Sequence, residues 1–184
     1  MNQTLKNLID SSDKGELETY YIPVIDRIFS DETIKFRDDL LVNLTFRQSL
    51  FKKSRLTKIR VCNVSFESSL FNDCYFKNCL FLNIHFRELK SLKCIFNDCV
   101  FIDCQFIDTE ISDTIFENCT FSKGSLDGSE FQSCHFINTI FQDVTFGFGT
   151  IIDSKFSDFK KSIEFEGEVS FNAIFDQIDT FDGE

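Results

Sequence analysis

Large apolar side chains recur every five residues along most of this chain. Phe36, Phe46, Phe51, Phe66, Phe71, Phe76, Phe81 and Phe86 share one register with Phe96, Phe101, Phe106, Phe116, Phe121, Phe131, Phe136, Phe141, Phe146 and Phe156. Leu41, Leu56, Val61, Ile111, Leu126 and Ile151 fill the gaps, so that of the 25 register positions from 36 to 156 only Ser91 is polar. Neither an α-helix, at about 3.6 residues per turn, nor a flat strand, at about two, has this period. A chain that turns a corner every five residues does. Two residues before the centres stand small side chains, among them Cys74, Cys79, Cys94, Cys99, Cys104, Thr109, Thr114, Cys119, Ser129, Cys134 and Thr139. Residues i and i−2 of a strand share a face, so ring and small residue both point inward. Two residues after the centre, 13 of the 20 sites from Asn63 to Asp158 are Asn or Asp, whose short side chains bond nearby backbone and tolerate unusual φ. The pattern therefore predicts short extended segments joined by Asx corners.

The runs CYFKN CLFLN, residues 74–83, and CIFND CVFID CQFID, residues 94–108, resemble the repeats of the pentapeptide-repeat family. In that family four repeats make one coil of a right-handed quadrilateral β-helix. The fold class this implies is all-β: a right-handed quadrilateral parallel β-helix of about six coils over residues 36–158. Positions 20 apart then lie above one another, stacking Phe76, Phe96, Phe116, Phe136 and Phe156 in one column and Phe81, Phe101, Phe121 and Phe141 in another. Rungs about 4.8 Å apart suit offset rings, and each buried ring contributes roughly 1.5–3 kcal/mol.

Residues 1–35 break the register. Leu5, Leu8 and Ile9 suit a short helix, as do Val24, Ile25, Ile28 and Phe29 after Pro23. An open solenoid end exposes core and unpaired backbone, so an N-terminal helical cap over 1–35 is expected. From 159 to 184 the register fails at Lys161 and Glu166 and returns in part at Phe171 and Phe181. That segment admits a distorted last coil, a capping helix or a dimer contact. Quinolone-resistance pentapeptide proteins pair through their C-terminal ends, so the resemblance implies a homodimer contact through Ile174, Phe175, Ile178 and Phe181.

The chain has 184 residues, 42% of them hydrophobic, enough for one continuous core. No apolar run approaches the roughly 18 residues of a membrane span, and the first residues lack the apolar block of a signal peptide. A cytoplasmic protein is the default expectation. Seven of the eight cysteines occupy the inward small column, all but Cys62. The spacing of Cys94, Cys99 and Cys104 places them on successive sides rather than around one ion, so buried free thiols are expected. His85 and His135 fall at outward positions on opposite sides, with no nucleophile or ligand partner in view. No phosphate-binding or nucleophile-elbow motif is present. The expectation is a non-enzyme without cofactor or metal.

The net charge of −11 is distributed unevenly: residues 1–61 carry +2, 62–158 carry −8 and 159–184 carry −5. Arg47, Lys52, Lys53, Arg55, Lys58 and Arg60 lie together without an acid among them. Some members of the resembled family match the charge and width of B-form DNA and bind type II topoisomerases. The resemblance thus implies a partner such as DNA gyrase or topoisomerase IV, engaged through an acidic surface that includes Asp98, Asp103, Asp108 and Asp113. Corner geometry and solubility also account for acids at these positions. Leu80, Leu82, Val100 and Ile102 flank Phe81 and Phe101 at outward sites, with Ile140 extending the same face and Tyr75, Ile95 and Ile115 on the adjoining one. Such a patch marks a surface for a protein partner, and a scaffold using it is the alternative function. Direct nucleic-acid binding through the basic first coils is disfavoured, because the remaining rod repels phosphate.

Overall fold

The computed structural model describes residues 22–25, 28–30, 33–34, 40–166 and 170–179, with side chains over 28–30 and 40–157. It is an all-β parallel solenoid of about six turns. Three-residue strands alternate with two-residue corners, and each strand pairs in parallel with the strand 20 residues on. Tyr75↔Ile95, Phe76↔Phe96 and Lys77↔Asn97 show the register, which repeats at Leu80↔Val100, Phe81↔Phe101 and Leu82↔Ile102. Four strands complete a turn and define four faces. The first is centred on Phe46, Phe66, Phe86, Phe106, Leu126 and Phe146; the second on Phe51, Phe71, Ser91, Ile111, Phe131 and Ile151. The third runs from Leu56 through Phe76 to Phe156, and the fourth from Leu41 through Phe81 to Phe141.

All centres from Leu41 to Phe156 are buried, and rings stack up the first, third and fourth faces, while on the second Phe51 meets Phe71 edge-on at 85°. On the third, Phe76–Phe96 centroids lie 4.5 Å apart at 3°, and Phe96–Phe116 lie 5.1 Å apart at 6°. On the fourth, Phe101 sits 4.8 Å from Phe81 and 4.5 Å from Phe121. Across faces the rings meet edge-on, as Phe96 and Phe101 do at 62°. Both geometries suit the ring quadrupole, which is why a square coil accepts Phe at so many centres.

The corners explain the polar column. The second residue after every centre from 41 to 151 has a left-handed backbone; the 22 that are not glycine have φ between 47° and 58°. Asn and Asp adopt that region most readily among residues with a Cβ. The turned amide is satisfied by the next coil: Asp98 N–H donates to Glu117 O at 2.9 Å and Asp103 N–H to Ser122 O at 3.0 Å. Asparagine side chains add vertical ladders, with Asn83 Nδ2 donating to Asn63 Oδ1 at 2.9 Å and Asn138 Nδ2 to Asn118 Oδ1 at 2.8 Å.

The small inward column has its own chemistry. Its hydroxyls and thiols donate to the centre carbonyl of the coil before, as Thr139 Oγ1 does to Phe116 O at 3.0 Å and Cys104 Sγ to Phe81 O at 3.4 Å. A side chain here must be small and gains from a donor, so Cys, Ser and Thr share the site. All eight cysteines are free; seven are buried and Cys62 is half-buried. Gly124 and Gly149 mark close backbone approaches, since a Cβ would lie 2.6 Å from Cys104 O at the first and 2.4 Å from Ser129 O at the second.

The N-terminal end differs from the expectation. Val24, Ile25, Ile28 and Phe29 are strands, not a helix: Ile22–Ile25 pairs with Leu44–Arg47 and Ile28–Ser30 with Leu50–Lys52. Residues 24, 25, 28 and 29 match helical spacing, but Val24 and Phe29 are also five apart, and an open sheet edge needs strands. Phe29 stacks on Phe51 at 4.6 Å. In this first coil partners are 22 apart, Val24↔Phe46, Phe29↔Phe51 and Ile34↔Leu56, whereas Leu41↔Val61 are 20 apart. Two extra residues therefore fall between Ile34 and Leu41, and Ile34 pairs opposite the centre Leu56. Leu5, Leu8, Ile9 and Phe36 lie outside the described residues.

At the other end the backbone follows the distorted-coil alternative. Thr150–Glu166 and Ser170–Asp179 are strands in parallel register. Lys161 pairs opposite Phe141; one residue is then lost, so that Phe165 rather than Glu166 faces Phe146. Ile174, Phe175 and Ile178 lie on the last strand, where only the backbone is described, and Phe181 lies outside the described residues. Among the described residues no helix is long and apolar enough to cross a membrane.

Candidate binding surfaces

Stacking at 20 residues sorts the outward side chains into columns up each face. On the fourth face Leu80 pairs with Val100 and Leu82 with Ile102, which puts four aliphatic side chains on two adjacent rungs. All four are half-buried, and the half-buried Cys62 continues the Leu82 column downward. Burial raises the Cys62 thiol above its ordinary range, with nearby Arg60 opposing. Ile140, 37% exposed, is separated from Val100 by Thr120. Tyr75, Ile95 and Ile115 form an unbroken column on the adjoining third face. Of the apolar side chains proposed from spacing, all but Ile140 thus fall in apolar columns on these two faces.

The four aspartates are not. Asp98, Asp103, Asp108 and Asp113 occupy four successive corners of a single coil, one at each edge of the rod. They form a ring, with neighbours on different sides. The six basic residues from Arg47 to Arg60 likewise wrap one coil. Stacking gathers a different acidic set along the edge between the first and second faces: Glu88 and Asp108 at its corner, Asp127 on one side, and Glu110 and Glu130 on the other. Glu110 pairs directly with Glu130, a like-charge contact that costs stability. Lys90, one rung below, donates to Glu110 Oε2 at 2.7 Å and relieves one of the two. A Cβ at Gly128 would strike the Asp108 carboxylate, and Gly128 has φ +67°.

The remaining candidates are accounted for by packing. Five of the buried thiols, Cys74, Cys79, Cys99, Cys104 and Cys134, are raised above their ordinary range, whereas contact with Cys74 lowers Cys94. Burial pushes Cys104 and Cys134 up to about 12, and contact with Cys119 pushes Cys99 up to about 12. His85 and His135 stand on the first and third faces, opposite each other. Among the described residues, no group of three or more His, Cys, Asp or Glu is placed to hold a metal ion.

The five-residue step, visible in both strand register and corners, makes the chain a pentapeptide-repeat solenoid. A family model described as the SV2A/B/C luminal domain matches residues 76–146, less than half of the chain. No curated protein matches the sequence. Among solved structures the chain is similar to a trypsin-treated form of QnrB1, a plasmid-mediated fluoroquinolone resistance protein, at 16% identity over 74% of this chain and 75% of that one, with a TM-score of 0.36. It is similar to Rfr23, a pentapeptide repeat protein of the cyanobacterium Cyanothece 51142, at 9% identity over 85% and 86% of the two chains, with a TM-score of 0.38. HetL of Nostoc sp. strain PCC 7120, involved in heterocyst differentiation regulation, gives 8% identity over 91% and 90%, with a TM-score of 0.32.

Proposed function

We propose that this solenoid is a non-catalytic binding protein that docks a protein partner on its fourth face. The observation that carries the reading is the pairing of Leu80 with Val100 and Leu82 with Ile102, which leaves four aliphatic side chains outward on a flat sheet. Outward sites elsewhere on the rod are mostly polar, and contiguous apolar surface of this kind supports association. A photo-crosslinking residue placed at Val100 and, separately, at Glu130 on the opposite face tests it in the producing cell. A discrete adduct from position 100 that is absent from position 130 and lost on Leu82→Asp is expected. The same adducts from both positions, or none from position 100, would sink the reading.

The resemblance of the repeats supports a second reading, in which an acidic surface engages a type II topoisomerase such as gyrase or topoisomerase IV. The stacked Glu110–Glu130 pair favours it, because corner geometry does not account for acids on a strand. Those acids belong to the edge with Glu88, Asp108 and Asp127, so Glu110→Gln with Glu130→Gln should abolish any protection of gyrase supercoiling from a fluoroquinolone. A wild-type chain without effect on supercoiling ends this reading. A homodimer through the last strand, with Ile174, Phe175, Ile178 and Phe181 in contact, belongs to the same proposal; a monomer in sedimentation would remove it.

A further inference from the structure

The first face departs from the other three. Thr45 points outward, one position before the Phe46 centre, yet is only 8% exposed; no other outward side chain between 40 and 157 is buried. It lines a groove of about 590 Å³, a volume typical of small-ligand sites. Two columns of side chains form the floor. Thr45, Ser65 and His85 make one; Arg47, Glu67 and Arg87 make the other, in the rung-to-rung pairing Arg47↔Glu67↔Arg87. That column reads positive, negative, positive, with its ends about 10 Å apart.

The carboxylate in the middle is fixed. Arg47 Nε donates to Glu67 Oε2 at 2.7 Å, and Ser65 Oγ donates to Oε1 at 3.2 Å. The Arg47 bond uses Nε, and among the described residues its terminal nitrogens and the His85 imidazole make no further hydrogen bond. Arg87 is 3.8 Å from Glu88, with both side chains more than half exposed, a contact that contributes little. Glu88 itself already accepts the Ser68 hydroxyl at 2.7 Å. On a chain of net charge −11, the groove holds two guanidinium groups and an imidazole against one carboxylate.

We propose that this groove binds a small polyol carrying a phosphate at each end. Guanidinium forks match phosphate oxygens in pairs, and the two arginines are separated by two rung spacings. Glu67 between them repels an anion but accepts hydrogen bonds from hydroxyl groups, so the spacer is hydroxylated. The one ring among the lining side chains is the His85 imidazole, so a nucleobase finds no Phe, Tyr or Trp there to stack on.

Titration calorimetry of the full chain with fructose bisphosphate, fructose monophosphate, free fructose and inorganic phosphate tests the assignment. Saturable binding of the bisphosphate is expected, at least about tenfold tighter than any of the other three. Arg87→Gln should weaken it by at least about tenfold, with an unchanged urea melt because that side chain is 65% exposed. Lys123→Gln, at an exposed corner elsewhere, should change it less than about twofold. The proposal is overturned by the absence of saturable binding at millimolar ligand, by equal affinity for inorganic phosphate, or by equal losses in the two variants.

Discussion

Ser91 is the one polar residue among the centres from Leu41 to Phe156, and it is 2% exposed between Phe71 below and Ile111 above. Its hydroxyl has no hydrogen-bond partner of good geometry; its neighbour is the soft Cys94 thiol, which is lowered mainly by Cys74 and further by Ser91. Burying an unsatisfied hydroxyl costs about 1–3 kcal/mol, and the site forgoes apolar burial as well. Ser91→Val should therefore stabilise the rod by roughly 1–2 kcal/mol in a urea melt; a loss would show that the hydroxyl has a partner such as a buried water. The inward thiols make a second case. In the native state a thiol reagent should modify Cys62 before any other, and the remaining seven only on unfolding. Because Cys104 and Cys134 are raised to about 12 from an ordinary 9.0, the unfolded chain releases these protons first as pH rises. Their stabilisation is present below pH 9.0 and is lost between 9.0 and about 12, by roughly 1 kcal/mol per pH unit per thiol. Cys104→Ala with Cys134→Ala should flatten that alkaline decline. A slope unchanged by the pair would mean that other groups set it.

At the scale of the element, the corner is what the fold demands and the residue is what tolerates it. Asx corners were legible because Asn and Asp favour a left-handed backbone, yet Gln48, Lys53, Lys58, Glu88, Lys93 and Lys123 adopt the same φ. The strand length and the pairing impose it. Phe148 shows the cost most plainly, at φ 52° with its ring 75% exposed. A bulky residue loses about 1–2 kcal/mol in that region, so Phe148→Asn should raise the urea midpoint by roughly 1 kcal/mol in stability. A fall instead would mean that the ring is packed. The misread elements share one cause. Counting in fives cannot register an insertion or a deletion, so the two residues added before Leu41 hid the pairing of Val24, Phe29 and Ile34 opposite centres, and the one lost after Lys161 hid Phe165. The helical spacing of 24, 25, 28 and 29 then looked like a better account than it was.

Across the whole molecule, columns matter more than repeats. The apolar face was legible because Leu80, Leu82, Val100 and Ile102 lie 20 apart in pairs, whereas the four aspartates, five apart, ring the rod. The acidic edge and the Arg47–Glu67–Arg87 column became visible only when residues were compared coil against coil, since no local motif marks them. The same geometry separates inside from outside at neighbouring positions, and Phe101 and Val100 test it together. Phe101 is 1% exposed, its ring parallel to Phe81 at 5° and to Phe121 at 6°. Truncation to Ala should cost roughly 3–5 kcal/mol, because two stacked neighbours fixed by backbone pairing cannot close the cavity. Val100, next along the chain, is half-buried on the outer surface, so Val100→Ser should cost under about 1 kcal/mol while weakening whatever association uses the fourth face. Urea melts and sedimentation on both variants give the comparison. Equal destabilisation would mean that the two sides of the strand contribute alike to the core, which a single-walled solenoid does not allow.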